Sequence, residues 1–115
     1  MKIIIAGSRE IKNLSILAEA YRSCPFQITE IVSGGARGVD TMGENLAKVL
    51  NLPIKRFDAS WDKYGRSAGM IRNKEMADYA DGLIAIWDGK SPGTKGMIKL
   101  MNKQVKPVHL WLEEI

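Results

Sequence analysis

Short apolar runs alternate along the chain with segments in which apolar residues recur every third or fourth position. Continuous apolar runs are typical of strands covered on both faces, whereas the wider spacing is typical of helices with one buried side. The pattern predicts strands at Ile3–Ala6, Ile28–Ser33, Ile54–Phe57, Leu83–Trp87 and Val108–Leu112. It predicts helices through Leu14–Tyr21, Val39–Leu50, Ser67–Ala80 and Thr94–Lys103.

This order of strands and helices predicts a parallel sheet wrapped by helices. The expected fold class is α/β: a single Rossmann-like, three-layer domain over residues 1–115, with a parallel sheet of about five strands. Right-handed crossovers would place the first three strands on one side of the sheet and the fourth on the other. In such sheets ligands bind beyond the carboxyl ends of the strands, near the switch in strand order.

The composition narrows the class of protein. A chain of 115 residues fits one domain, and a single cysteine, Cys24, excludes a disulfide framework and a thiolate metal cluster. The first apolar run, Ile3 to Gly7, is too short for a signal peptide or a membrane span, so we expect a cytoplasmic protein without a membrane partner. No cluster has metal-ligand spacing, and no cofactor is expected. The net charge of +4 favours an anionic partner without singling out nucleic acid.

Three small, polar, glycine-bearing segments follow the first, second and fourth predicted strands. Helices with exposed N–H groups begin at the same edge of the sheet, so these segments predict a site for an anion, with phosphate as the expected group. The candidate ligand-binding residues in them are Gly7, Ser8, Arg9, Ser33, Gly34, Gly35, Arg37, Gly38, Asp40, Asp88, Gly89, Ser91, Gly93 and Thr94.

Neither glycine-rich segment matches a nucleotide-binding motif in full. The turn from Gly34 nearly fits G-x-G-x-x-G, but Ser33 stands where the first glycine should be, and a tight turn without a ligand is the alternative. Arg37 would bind the anion there, and Asp58 lies about where a ribose-binding acid is expected. The segment before Thr94 is not a P-loop, because Ile84 occupies the glycine position. Thr94 is expected to cap the following helix, with a capped surface loop as the alternative.

Arg72 and Asn73 complete the candidate ligand-binding set. They lie one helical turn before core-facing residues and should point to the same sheet edge, although a surface arginine and an asparagine bonded to backbone is the alternative. Trp61 and Tyr64 could stack on a base, but a loop packed on the sheet explains them equally well. His109 lies away from the glycine turns and is expected to be structural.

Three segments together resemble the SLOG superfamily, which includes the Smf/DprA and LOG proteins. They are AGSR at Ala6–Arg9, VSGGARGVD at Val32–Asp40, and WDKYGRSAGMIRNKEM…ADGLIAIWDGKSPGTKGM at Trp61–Met97. Within the superfamily, the chain is most similar to the small YspA-like (cpYpsA-related) branch. The resemblance implies a Rossmann-like domain that binds a nucleotide or a nucleotide-derived molecule, in some members as a sensor. It also favours a homodimer formed through helices.

The resemblance extends to single residues. SGGARGVD is similar to the motif that lines an anion pocket in the DprA proteins. Arg72 falls on the arginine that LOG phosphoribohydrolases use near the ribose phosphate, and Gly93 and Thr94 fall on the G-T of their glycine-rich motif. The glutamate of that motif is replaced by Met97, which can neither polarise water nor stabilise a ribosyl cation. No catalytic residue is therefore predicted.

Three functions remain open at this point. The leading one is binding of a nucleotide or nucleotide-derived phosphate ligand, in the manner of a sensor domain. The second is LOG-like cleavage of the N-glycosidic bond of a nucleoside monophosphate, for which Asp40 or Asp88 would have to replace the missing glutamate. The third is DprA-like binding of single-stranded DNA. The modest net charge and the lack of interleaved basic and aromatic residues weigh against the third.

Overall fold

The computed structural model describes residues 1–113, and residues 114 and 115 of the predicted domain lie outside this range. The described part contains five strands and five helices. Their bounds are β1 (Lys2–Gly7), α1 (Leu14–Ser23), β2 (Glu30–Ser33), α2 (Val39–Val49), β3 (Ile54–Arg56), α3 (Trp61–Tyr64), α4 (Ala68–Tyr79), β4 (Gly82–Trp87), α5 (Pro92–Lys103) and β5 (Val108–Leu112).

The strands form one sheet in the order β3-β2-β1-β4-β5, and every pairing is parallel. Ile3 pairs with Ile31 on one side and with Gly82 on the other, so β1 is the central strand. The strand order reverses between β1 and β4. The predicted α/β class, the parallel five-stranded sheet and the placement of the fourth strand are therefore confirmed.

Alternate residues of β1 enter two separate cores. Ile3 and Ile5 pack with the buried residues of α1 and α2, whereas Ile4 and Ala6 pack with those of α4 and α5. Because both faces of the strand are covered by helices, both sets of side chains must be apolar. This double burial explains the uninterrupted run Ile3–Ala6, and the same reason applies to the fully buried residues Leu83–Ile86 of β4.

Most element bounds lie within one or two residues of the predicted ones, and β2 and α5 each begin two residues away from the predicted start. β2 begins at Glu30 rather than Ile28, since Glu30 is the first residue that pairs with β1, opposite Lys2. α5 begins at Pro92. Proline is favoured in the first turn of a helix because a backbone N–H at that position has no acceptor within the helix, so its absence costs no hydrogen bond. The predicted capping role of Thr94 is wrong, since Thr94 lies inside the first turn and is buried.

The large apolar residues of α5 are buried or partly buried. Met97 and Met101 are 1% and 0% exposed, so they belong to the core, and Leu100 is only partly buried. The homodimer that the resemblance implies stays a prediction. His109 of β5 contacts Ser23 Oγ at 3.0 Å and lies in β5, at the edge of the sheet. No helix within residues 1–113 is long and apolar enough to cross a membrane.

Candidate functional site

A cavity of about 350 Å³ opens at the switch in strand order. Its floor is the carboxyl end of β1, and its walls are the first two turns of α5, the middle of α4 and the turn before α2. This is the edge where parallel α/β sheets bind ligands. The lining residues are Ala6, Gly7, Ser8, Arg9, Ala36, Asp40, Arg72, Asn73, Met76, Ser91, Pro92, Gly93, Thr94 and Met97.

Close backbone contacts between the turns after β1 and β2 form one wall of this cavity. Gly38 has φ +79°, and a Cβ there would lie 2.6 Å from the carbonyl oxygen of Arg9. Glycine is thus required at this position by its conformation and by the space. At Gly34, a Cβ would lie 2.9 Å from Asp40 Oδ2 and 3.0 Å from Arg72 Nη1. The turn after β2 therefore lies between the carboxyl group of Asp40, from α2, and the guanidinium of Arg72, from α4.

Arg72 braces the site from α4. Its Nη1 donates a hydrogen bond to the carbonyl of Gly34. Its Nε donates a second one to Asn73 Oδ1 at 3.0 Å. Asn73 Nδ2 in turn donates to the carbonyl of Gly93 at 3.4 Å. These bonds join the turn after β2 to the first turn of α5. Arg72 reaches this edge of the sheet, and the alternative of a surface arginine is wrong, since Arg72 is half-buried and bonded to backbone.

Arg72→Ala should therefore lower the stability of the unliganded protein. The substitution removes a charge-assisted bond to the Gly34 carbonyl, and bonds of this kind contribute ~2 kcal/mol. Differential scanning fluorimetry should show a fall of several degrees in Tm. Arg66→Ala is the matched control, because Arg66 is exposed on the turn before α4. Equal melting temperatures for Arg72→Ala and Arg66→Ala would contradict the bracing role.

Asp40 is a buried carboxyl group in the cavity wall. It is 6% exposed, and burial raises its pKa from its ordinary value to about 6. The N–H groups of Ala36 and Gly7 and the charge of Arg72 oppose this rise. Ala36 N–H lies 3.4 Å from Asp40 Oδ2. The cavity thus contains a carboxyl group that changes charge near neutral pH, which the sequence could not indicate.

Asp88 shapes the loop between β4 and α5 without lining the cavity. Its carboxylate accepts bonds from Ser91 N–H and Lys90 N–H, both at 2.8 Å, and these bonds lower its pKa to about 2. Ser91 Oγ donates to Ser8 Oγ at 2.9 Å, which ties this loop to the end of β1. Because Ser91 makes these contacts, its hydroxyl does not cap α5. Within residues 1–113, the N–H groups of Gly93 and Thr94 have no acceptor.

The two arginines of the glycine turns lie in different surroundings. Arg9 is exposed at the rim of the cavity, and no carboxylate among residues 1–113 forms an ion pair with it. Arg37 does not line the cavity; its Nη2 lies 3.1 Å from Glu10 Oε1, and its side chain is 71% exposed. Of these two arginines, Arg9 is therefore the one that lines the cavity and has no ion-pair partner within residues 1–113.

A second cavity of about 250 Å³ lies beside the first. Arg9, Ala36 and Arg72 line both cavities, so the two are adjacent parts of one cleft. The remaining lining residues come from the turn after β2 and from the segment between β3 and α3. They are Gly34, Gly35, Asp58, Ala59 and Trp61.

The cleft includes most of the candidate residues. The first cavity contains Gly7, Ser8, Arg9, Asp40, Arg72, Asn73, Ser91, Gly93 and Thr94, and the second adds Gly34 and Gly35. Five candidates line neither cavity, namely Ser33, Arg37, Gly38, Asp88 and Gly89. Ser33 is instead buried beneath the turn, where its hydroxyl donates to Glu44 Oε2 at 2.7 Å and accepts from Gly35 N–H. The candidate set left out five residues of the first cavity, because apolar side chains give no signal of ligand binding: Ala6, Ala36, Met76, Pro92 and Met97.

The fold and the cleft define an open α/β domain with helices on both faces and a ligand-sized cavity at its switch point. The Gene 61 protein of Mycobacterium phage D29 is 31% identical to the chain over 117 aligned positions. The alignment covers 93% of this chain and 93% of the phage protein, so the chain belongs to the same family as that protein. No protein-family model and no solved structure matches the chain.

Proposed function

We propose that this protein binds a nucleotide or a nucleotide-derived phosphate ligand in the cleft at the switch point. One observation carries the proposal: Arg9 is an exposed cation that lines a ligand-sized cavity, and no carboxylate of residues 1–113 forms an ion pair with it. The N–H groups of Gly93 and Thr94 begin α5 at the same cavity, where the helix dipole favours an anion. The sequence resemblance to nucleotide-binding SLOG domains supports the same ligand class.

Arg9→Ala should weaken binding of nucleoside monophosphates by roughly 10- to 100-fold, because a charge-assisted bond to phosphate is lost. Thermal-shift screening would identify the best nucleotide, and isothermal titration calorimetry would measure its Kd for each variant. Arg37→Ala is the matched control, since the Arg37 side chain is exposed and paired with Glu10. A tenfold loss in Arg37→Ala with none in Arg9→Ala would mean that the anion lies on the other side of the turn.

A second candidate function, cleavage of the N-glycosidic bond of the bound nucleotide, is favoured by Asp40. A carboxyl group with a pKa of about 6 is suited to general acid–base catalysis near neutral pH, and Asp40 lines the first cavity. Asp40 would act as the base that takes a proton from the attacking water. Met97, which replaces the glutamate of LOG enzymes, lines the same cavity and cannot do so. Chromatographic detection of free base after incubation with nucleoside monophosphates tests this candidate.

A further inference from the structure

The second cavity has an aromatic wall with an open face. Trp61 of α3 is 54% exposed although it lines the cavity. A Cβ at Gly69 of α4 would lie 3.6 Å from Trp61 Cη2, so the indole ring rests against the backbone of α4 on that side. An exposed indole beside a polar cavity is the usual surface on which a nucleic-acid base stacks.

The acidic residue that lines this cavity is Asp58. Asp58 Oδ1 accepts from Arg56 Nε at 2.8 Å, and Arg56 also lies 3.6 Å from Glu44 Oε1. The Arg56–Asp58 pair lies directly against Gly35, where a Cβ would come within 2.8 Å of both side chains. Asp58 is thus held in place through one oxygen, while its side chain remains 70% exposed.

We infer that this second cavity is a subsite for guanine, in which Trp61 stacks on the base and Asp58 accepts hydrogen bonds from its edge. The inference rests on the proposed function, because it needs a nucleotide whose phosphate lies near Arg9. Arg9 and Arg72 line both cavities, so a phosphate in the first cavity leaves the base within reach of the second.

The choice of guanine follows from the hydrogen bonds that a carboxylate can make. An ionised carboxylate only accepts, so it needs neighbouring N–H donors. Guanine presents N1–H and N2–H side by side, whereas adenine and cytosine place a ring acceptor next to their amino group. Uracil places a carbonyl on each side of its N3–H. A site built around a carboxylate therefore accepts guanine and rejects the other three bases.

Calorimetry with GMP, IMP, XMP, AMP and ribose 5-phosphate tests the subsite. IMP lacks the 2-amino group, so it should bind roughly tenfold more weakly than GMP, and AMP more weakly still. Asp58→Asn should abolish the preference for GMP and favour XMP, because the asparagine amide can donate to the 2-oxo group of xanthine.

Trp61→Ala separates stacking from phosphate binding. It should weaken every nucleotide roughly tenfold and leave the Kd of ribose 5-phosphate unchanged. Tyr64→Ala is the matched control, since Tyr64 is also an exposed aromatic residue of α3 but lines neither cavity.

The failures of the two proposals are distinguishable. If ribose 5-phosphate binds with a dependence on Arg9 while GMP, IMP, XMP and AMP bind alike, the guanine subsite is wrong and the proposed function stands. If Asp58→Asn weakens ribose 5-phosphate as much as it weakens GMP, Asp58 contacts the sugar and the subsite is again wrong. If neither ribose 5-phosphate nor any nucleotide binds at millimolar concentration, the proposed function fails and the subsite fails with it.

Discussion

Gly7→Ala should remove a large part of the stability of the protein, although it adds a single methyl group. A Cβ at Gly7 would lie 2.8 Å from Val39 Cγ2 and closer still to the carbonyl oxygen of Ile86. The clash involves the backbone of β4, which cannot rotate away, so we expect a loss of more than ~3 kcal/mol. A domain of this size is stable by only about 5–15 kcal/mol, so urea denaturation should show a large fall in the midpoint.

Gly96→Ala adds the same methyl group, but we expect it to raise the stability of the protein rather than lower it. Gly96 lies within α5, and a Cβ there would meet nothing within 4 Å. The alanine should stabilise the helix by about 1 kcal/mol. If Gly7→Ala proved as stable as the parent protein, β1 and β4 could not approach α2 as closely as described.

The fold could be predicted from the sequence because its central strands leave a clear pattern. β1 and β4 are covered on both faces, which requires the continuous apolar runs Ile3–Ala6 and Leu83–Trp87. The location of the cleft followed from the same logic, since the glycine-bearing turns after β1 and β2 and the loop after β4 must meet at one edge. α3 was missed because four residues are too few to show a helical period.

The directions of individual side chains could not be predicted. Whether Arg37 or Arg9 faces the cavity depends on the backbone between Gly35 and Gly38, whose φ angles are +73° and +79°. Residue types alone do not specify such a turn. Arg72 was expected to serve a ligand, and its bond to the carbonyl of Gly34 depends on how α4 packs against β2. Long-range contacts of this kind leave no periodic pattern in the sequence.

Asp40→Asn should make the unliganded protein more stable at pH 7.5. The folded-state pKa of Asp40 is about 6, above the value of about 4 expected in the unfolded chain. The folded state therefore binds the proton more tightly, and the stability that this binding contributes is complete below pH ~4 and is lost as the pH rises through 6. A pKa difference of about two corresponds to ~3 kcal/mol. Ionisation of Asp40 therefore lowers the free energy of unfolding by this amount at pH 7.5.

The asparagine removes this cost and keeps an oxygen that can accept from Ala36 N–H. Its Tm should therefore exceed that of the parent by several degrees at pH 7.5, and the difference should vanish near pH 4. Asp62→Asn is the control, because Asp62 is exposed on α3. A Tm difference that is the same at both pH values would show that ionisation of Asp40 is not its cause.

The same variant distinguishes a protein that only holds its ligand from one that cleaves it. A buried, ionised carboxyl group that destabilises the fold is a common feature of functional sites. If the parent releases free base from a nucleotide and Asp40→Asn does not, at equal Kd, the carboxylate acts on the glycosidic bond. If neither protein releases base and Asp40→Asn binds the nucleotide as tightly as the parent, binding alone is the function of the cleft. Tighter binding by Asp40→Asn would follow if the carboxylate repels the phosphate, and the Kd of the parent should then fall as the pH is lowered through 6.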